Sequence, residues 1–218
     1  ITVPVPVKVG YTGRWDASPA LTMPDNDLSY TMFWTANEYT VDLNSDGTVI
    51  GSIKVTYDQT YGALPTPERS GYDFGGWFTQ SEGKGDQVTS ATTLTTANDH
   101  TLYAYWTIKR YTIDYNLAGG TNSAKNPASY TTEQLVVLKA PTKTGYSFLG
   151  WTWAGQTEPM TDVILDGASG DKSYTANWQI NSYKAVFYRE DGSLIAEQVY
   201  EYGATIKAPN PGEKEGFV

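Results

Sequence analysis

The sequence predicts a mostly β to α+β fold, built as small modules in tandem. Three observations carry this. A set of phrases recurs at a spacing of 72 residues, set by Trp34, Trp106 and Trp178. Short segments alternate apolar and polar residues with period two, which marks a strand with one buried face. Between them stand Asp-Gly and Gly-Gly pairs, the chemistry of hairpin turns.

Self-similarity sets the organisation and is read first. Three phrases close on a tryptophan: DLSYTMFWT from Asp27, HTLYAYWT from His100, and KSYTANWQ from Lys172. Each is followed by an opening phrase: YTVDLN from Tyr39, YTIDYN from Tyr111 and YKAVFY from Tyr183. Mid-period lie GYDFGGW from Gly71 and GYSFLGW from Gly145. A contracted GYTGRW starts at Gly10, and Gly216-Phe217-Val218 is a truncated start of the same phrase. Proline segments precede them: Pro4-Val5-Pro6, Pro65-Thr66-Pro67, Pro141-Thr142-Lys143 and Pro209-Asn210-Pro211. The chain thus divides into a back half-repeat at 1–35, complete repeats at 39–107 and 111–179, and a front half at 183–218.

Within a repeat the elements follow in order. Tyr39, Val41 and Leu43 alternate with Thr40, Asp42 and Asn44, and Tyr111, Ile113 and Tyr115 do the same. Turn residues follow at Asn44-Ser45-Asp46-Gly47, Gly119-Gly120 and Asp191-Gly192. A second strand is predicted through Ile53–Tyr57 and through Glu197–Tyr200. The stretch Thr131–Ala140 reads as a helix, and the segment from the prolines to the Gly-Tyr pair as one helical turn. The Thr/Ser/Asp-rich region 79–99 reads as loops with short edge structure. The closing strand places Leu102, Ala104 and Trp106 on one face, and Tyr174, Ala176 and Trp178 on its counterpart, so both tryptophans are expected in the core.

Composition excludes several classes. With Lys+Arg 15 against Asp+Glu 24 the net charge is −9, which opposes a phosphate-tracking groove, so no nucleic acid partner is expected. Cys 0 rules out disulfide scaffolds, thiolate metal sites and thiol nucleophiles, and His 1 rules out a histidine cage. Aromatic content of 14% is too high for a disordered chain. No apolar run approaches the about 18 residues of a membrane span, so no transmembrane segment is expected. No signal peptide opens the sequence, and Ile1-Thr2-Val3-Pro4 reads as a start inside a longer protein.

The pattern Y-x-V-x-[FL]-x, then G-Y-x-F-x-G-W, then L-Y-A-x-W, resembles the Listeria–Bacteroides repeat, the type found as the B-repeat of internalins. The resemblance covers nearly the whole chain. The contracted GYTGRW departs from it, lacking a residue to match Phe74 and Phe148. The resemblance implies a β-grasp-like fold, a small mixed sheet with a short helix or none. It also implies a bacterial surface or secreted protein of tandem modules, and brings no catalytic residue with it.

The candidate chemistry is thin. Asp42-x-Asn44-x-Asp46-Gly47 opens like an EF-hand loop, but its closing position is Ile53 where a bidentate Glu is needed. A hairpin turn is the stronger reading, so no metal and no cofactor are expected. Leu64-Pro65-Thr66-Pro67-Glu68 superficially matches a sorting signal but sits at the repeated proline position. His100 beside Asp99 forms no acid–base dyad, because neighbours on a strand point apart; it reads as a surface residue. Tryptophans fixed by the repeat read as core, and Trp153, Tyr103 and Tyr105 stand out as aromatics the repeat does not fix.

The leading reading is a non-enzymatic stalk or spacer in an adhesin-like bacterial cell-surface or secreted protein, with other domains of the same protein as its partners. The alternative is that the repeats bind a host glycan or host protein. Between closing Trp and opening Tyr lie Thr107–Arg110 and Gln179–Ser182, a reach of about 15 Å when stretched. Ile108 and Ile180 recur there and predict a small contact between modules. Beads of about 25–30 Å then predict an elongated array of roughly 80–100 Å.

Overall fold

The computed structural model describes residues 6–18, 22 and 24–210. Gly216-Phe217-Val218, Pro4, Val5 and Pro211 lie outside them. The chain divides into two compact units, Ile1–Ile108 and Lys109–Val218.

In the first unit the strands are β1 (Tyr11–Trp15), β2 (Met32–Ala36), β3 (Glu38–Ser45), β4 (Thr48–Thr56), β5 (Tyr72–Phe78), β6 (Gln87–Val88) and β7 (His100–Ile108). β1 and β2 form an antiparallel pair. The other five form one sheet in the order β4-β3-β7-β5-β6. Its central pair, β3 and β7, runs parallel, and the remaining pairs are antiparallel. This is the strand arrangement of a β-grasp sheet. Among the described residues no α-helix covers it: the loops between its strands bring Tyr61, Leu64 and Leu94 over its inner face, where Val88 of β6 packs with them. The period-two faces close as expected, with Val41 and Leu102 at 0% exposure.

The second unit holds β8 (Arg110–Asn116), β9 (Ser129–Thr131), β10 (Val136–Val137), β11 (Tyr146–Trp153), β12 (Gln156–Met160), β13 (Ile164–Leu165), β14 (Lys172–Ile180), β15 (Ser182–Tyr188) and β16 (Leu194–Glu201). Its sheet, β12-β11-β14-β8-β9, repeats the first topology, with β8 and β14 parallel. β10 pairs β13, and β15 pairs β16 as a hairpin.

Three expectations need correction. Thr131–Ala140 is not a helix. Thr131 ends β9, Gln134 closes a turn back onto it with its N–H at 3.0 Å from the Thr131 carbonyl, and the chain then alternates. Val136 and Leu138 are buried at 8% and 3%, whereas Leu135 is 66% exposed; two β-branched valines and a period of two outweigh local helix propensity. The run before each Gly-Tyr pair is a tight turn, not a helical one, with Tyr72 N–H to Arg69 O and Tyr146 N–H to Lys143 O both at 3.1 Å. The Gly119 turn forms, closed by Gly120 N–H to Leu117 O at 2.9 Å. However, it leads into a bridge between Thr121 and Thr142, and β8 finds its antiparallel partner at β9.

The G-Y-x-F-x-G-W phrase has a physical basis. A bulge falls between Phe74 and Gly76 and between Phe148 and Gly150. It turns Phe and Trp, three residues apart, onto the same face, with ring centroids 5.5 Å apart in the first repeat and 5.3 Å in the second. Gly76 and Gly150 take φ of 117° and 145°, where only glycine is unstrained. The contracted GYTGRW drops the phenylalanine and the bulge together, and β1 pairs β2 with no register shift.

Candidate functional sites: the repeat joint and an open cleft

Trp77 and Trp151, at 2% and 0% exposure, are the indoles at the centre of the two cores. Trp106 and Trp178, expected there as well, are only half-buried. They sit at equivalent rim positions, each edge-on to a phenylalanine at 5.5 Å (Phe74 and Phe148). Their N–H groups donate to Ser45 Oγ at 3.1 Å and to the Leu117 carbonyl at 3.0 Å. A rim indole keeps its N–H near polar partners, and strand ends supply them.

Asp99 and Asp171 recur 72 residues apart, and each Oδ1 accepts a backbone N–H from the facing strand: Thr40 at 2.7 Å and Thr112 at 2.8 Å. They fix the start of each parallel pairing. The Thr112 bond holds the Asp171 carboxyl below its ordinary value. That support is present above the unfolded carboxyl's pKa and fades as pH falls through the folded one. Burial, with Tyr174 as a lesser cause, pushes the Tyr115 hydroxyl up to about 12, so it stays protonated and donates to the Pro127 carbonyl at 3.0 Å.

His100 is half-buried rather than a plain surface residue. Its ring lies edge-on to Tyr61 at 5.9 Å, Nε2 is 2.7 Å from the Tyr61 hydroxyl, and Nδ1 is 3.0 Å from the Asn98 carbonyl. A carbonyl only accepts, so Nδ1 carries a proton and donates it to the Asn98 carbonyl. Leu64 packs on the core, and the Pro65 carbonyl accepts the Trp77 N–H at 2.8 Å, which gives the proline segment a structural role. In the Asn44–Gly47 turn, Asp46 and Gly47 take φ of 50° and 85°, the type I′ geometry. Asn44 Oδ1 accepts the Gly47 N–H at 3.0 Å and Asp46 pairs with Arg69 at 3.0 Å. These side chains are spent on the turn, so melting curves in EDTA and in millimolar calcium are expected to coincide. A rise of several degrees with calcium would overturn this.

Each unit contains one junction between consecutive repeat segments, and the two are built alike. The connector Gln179–Ser182 expected from sequence is mostly strand, since β14 ends at Ile180 and β15 starts at Ser182, and the first unit has the same arrangement where β2 ends at Ala36 and β3 starts at Glu38. One asparagine remains between them. Asn37 N–H donates to Gly10 O at 2.8 Å, and Asn37 O accepts the Tyr57 N–H at 2.8 Å. Its Oδ1 accepts the Thr12 hydroxyl at 2.6 Å and its Nδ2 reaches Tyr39 Oη at 3.4 Å. Asn181 N–H donates to Gly145 O at 2.8 Å, and Asn181 O accepts the Tyr202 N–H at 2.8 Å. Its Oδ1 accepts the Ser147 hydroxyl at 2.6 Å and its Nδ2 reaches Tyr183 Oη at 3.3 Å. The Tyr57 and Tyr202 rings lie against Gly10 and Gly145, where a Cβ would enter the ring. Lys8 and Lys143 lie over the Tyr11 and Tyr146 rings at 3.7 and 4.2 Å.

The second repeat also carries an open cleft of about 1220 Å³, lined by Trp153, Met160, Asp162, Ile164, Ser173 and Thr175 among others. Of the three aromatics singled out in sequence, Trp153 lies here, edge-on to Tyr174 at 5.6 Å. Tyr103 and Tyr105 belong to the first repeat. Tyr105 packs edge-on to Phe78 at 5.6 Å and against Gly75 and Gly83, as a structural residue. Among the described residues no group of three metal-ligating side chains occurs, and no helix is long and apolar enough to cross a membrane.

A helix-free mixed sheet repeated in tandem, with the bulged G-Y-x-F-x-G-W strand, defines the class. The family model of the Listeria-Bacteroides repeat domain matches residues 39–105 and 111–163, and the chain belongs to that family. It is 30% identical over 94% of its length to a putative Gly-rich membrane protein of Evansella cellulosilytica, covering 23% of that protein. It is 34% identical over 52% of its length to internalin H of Listeria monocytogenes serovar 1/2a, covering 20% of that protein. The chain therefore spans about a quarter or less of these curated relatives. A solved structure, the Streptococcal High Identity Repeats in Tandem domains 3-4 from a cell surface protein, is 14% identical, covers 66% of this chain and 99% of its own, and has a TM-score of 0.18.

Proposed function

We propose that this chain is a non-enzymatic tandem-repeat segment of a bacterial cell-surface or secreted protein, and that it serves as a stalk or spacer in an adhesin-like molecule. Its modules are the repeats 39–107 and 111–179 with the half-repeats 1–35 and 183–218, and its partners are other domains of the same protein. The supporting observation is the joint. A spacer has to hold two ends apart, and a flexible linker of a few residues does this poorly. Here one hydrogen-bonded asparagine, with a tyrosine ring packed on glycine, replaces the linker. The net charge of −9 keeps such a segment soluble and off anionic polymers.

The test is replacement in the full-length protein on intact cells. Deleting 39–179 is expected to abolish the distal domain's activity at the surface, and an unrelated folded spacer of similar length is expected to restore it. Failure of the unrelated spacer, with display intact, would favour the second reading, that the repeats bind a host glycan or protein. The open cleft in the second repeat is the observation behind that reading.

A further inference from the structure

We propose that the cleft beside Trp153 is a binding site for a neutral oligosaccharide, a property independent of the spacer role. The two repeats form an internal comparison. Where the second has Trp153, the first has Thr79; where the second has Thr152 and Asn177, the first has Phe78 and Tyr105. In the first repeat Tyr105 packs between Phe78, Gly75 and Gly83, and the 3₁₀ turn Ser81–Gly83 folds against that tyrosine. In the second that turn gives way to the β11–β12 hairpin, and Asn177 Nδ2 is spent on Thr152 Oγ1 at 3.1 Å and on the Gly150 and Thr175 carbonyls. One repeat fills this region with its own aromatics, and the other opens it.

The lining chemistry fits a sugar. A saccharide presents apolar C–H faces and a ring of hydroxyls. It is recognised by an aromatic plane together with a few hydrogen-bonding side chains. Trp153 supplies the plane, and Met160 and Ile164, 41% and 59% exposed, extend the apolar floor. Around them Asp162, Thr157, Ser173 and Thr175 line the cleft with side-chain oxygens that make no hydrogen bond among the described residues.

The charge pattern selects a neutral ligand. The lining carboxylates are Asp162 and Asp171, and the lining cation, Lys172, already donates to the Ser169 carbonyl at 2.7 Å. With Asp162 and Asp171 against Lys172 the lining is net negative, and an anionic glycan would be repelled there, which costs affinity.

The experiment titrates the whole chain with cellotetraose, maltotetraose and chitotetraose, and separately with sialyllactose. The readout is the Trp153 indole resonance, assigned by its loss in Trp153→Thr. That variant installs the residue the first repeat already uses. At least one neutral probe is expected to shift and saturate the resonance, while sialyllactose leaves it unchanged. The same probe, followed through backbone amides of β14, is expected to bind Trp153→Thr and Asp162→Asn at least tenfold more weakly, with both variants folded at the titration temperature and Asp162→Asn melting as wild type. Absence of any shift at saturating neutral probe would overturn the proposal. So would equal affinity for Trp153→Thr, or a response to sialyllactose alone.

Discussion

Trp151→Ala is expected to unfold the second repeat's core selectively, at a cost of about 3–5 kcal/mol, the range for deleting a large buried aromatic. Trp151 is 0% exposed and touches the rings of Phe148, Tyr115 and Tyr174 at centroid distances of 5.3, 5.6 and 6.3 Å. Those rings come from three different strands, so the cavity left behind cannot be closed by moving one of them. Native-state hydrogen exchange reads the result. Amides of Tyr174 and Ala176 are expected to lose protection by that amount, while Leu102 of the first repeat keeps its own. Trp178→Ala, a rim deletion, is expected to cost less, contrary to the equal weight the repeat pattern alone gives it. A loss under about 1 kcal/mol at Trp151 would refute its place at the centre. One further contrast follows from the N–H groups. Trp77 donates to Pro65 O at 2.8 Å, whereas the buried Trp151 N–H has no partner among the described residues. Trp151→Phe is therefore expected to be cheaper than Trp77→Phe, because it removes an unsatisfied donor rather than a bond.

Much of this architecture was legible because strands announce themselves by period two and repeats announce themselves by copying. Tyr39-Val41-Leu43 and Leu102-Ala104-Trp106 gave the opening and closing strands, and Asn44–Gly47 gave the turn. The parallel pairing of β3 with β7 was not readable from residues, since period two says which face is buried and nothing about which neighbour is met. Only the family resemblance pointed to it. Thr131–Ala140 misled because Glu133, Gln134, Leu135 and Leu138 have good helix propensity, and tertiary pairing overrode it. The weight of Trp106 and Trp178 was overestimated because repetition marks any fixed role, at the rim as much as at the centre. Two further repeated positions are polar. Asp99 and Asp171 recur at the repeat spacing just before the closing strand. Asn37 and Asn181 stand 144 residues apart, two repeat lengths. Both sets are polar, so a search for apolar periodicity passes over them. The cleft lay in the opposite kind of signal, the places where one repeat departs from the other, and Trp153 was visible on that ground.

Gly145→Ala is expected to open the joint of the second unit while leaving its repeat folded. Two costs combine. Gly145 takes φ of 80°, and a residue with a Cβ is strained there by about 1 kcal/mol or more. The new methyl would also occupy the space of the Tyr202 ring, so that the ring has to swing out about its χ1 bond and gives up the packing that shields the Tyr202 N–H to Asn181 O bond, at 2.8 Å. The sum is expected near 3 kcal/mol, about a hundredfold in opening. It should appear as faster exchange of the Asn181 and Tyr202 amides with Tyr174 unchanged. Asn181→Ala removes two side-chain bonds and is expected to cost about 2 kcal/mol. Asn181→Asp keeps the acceptor for the Ser147 hydroxyl but loses the donor to Tyr183, so it falls between wild type and alanine. Gly10→Ala and Asn37→Ala should repeat the series in the first unit, because the same four bonds are made there. If Gly145→Ala leaves Tyr202 protected, the ring contact is incidental and the joint is held by the backbone alone. If Tyr174 loses protection in step with Tyr202, the hairpin and the repeat are one cooperative body, and the stiffness of a spacer resides in the shared core rather than in a single asparagine.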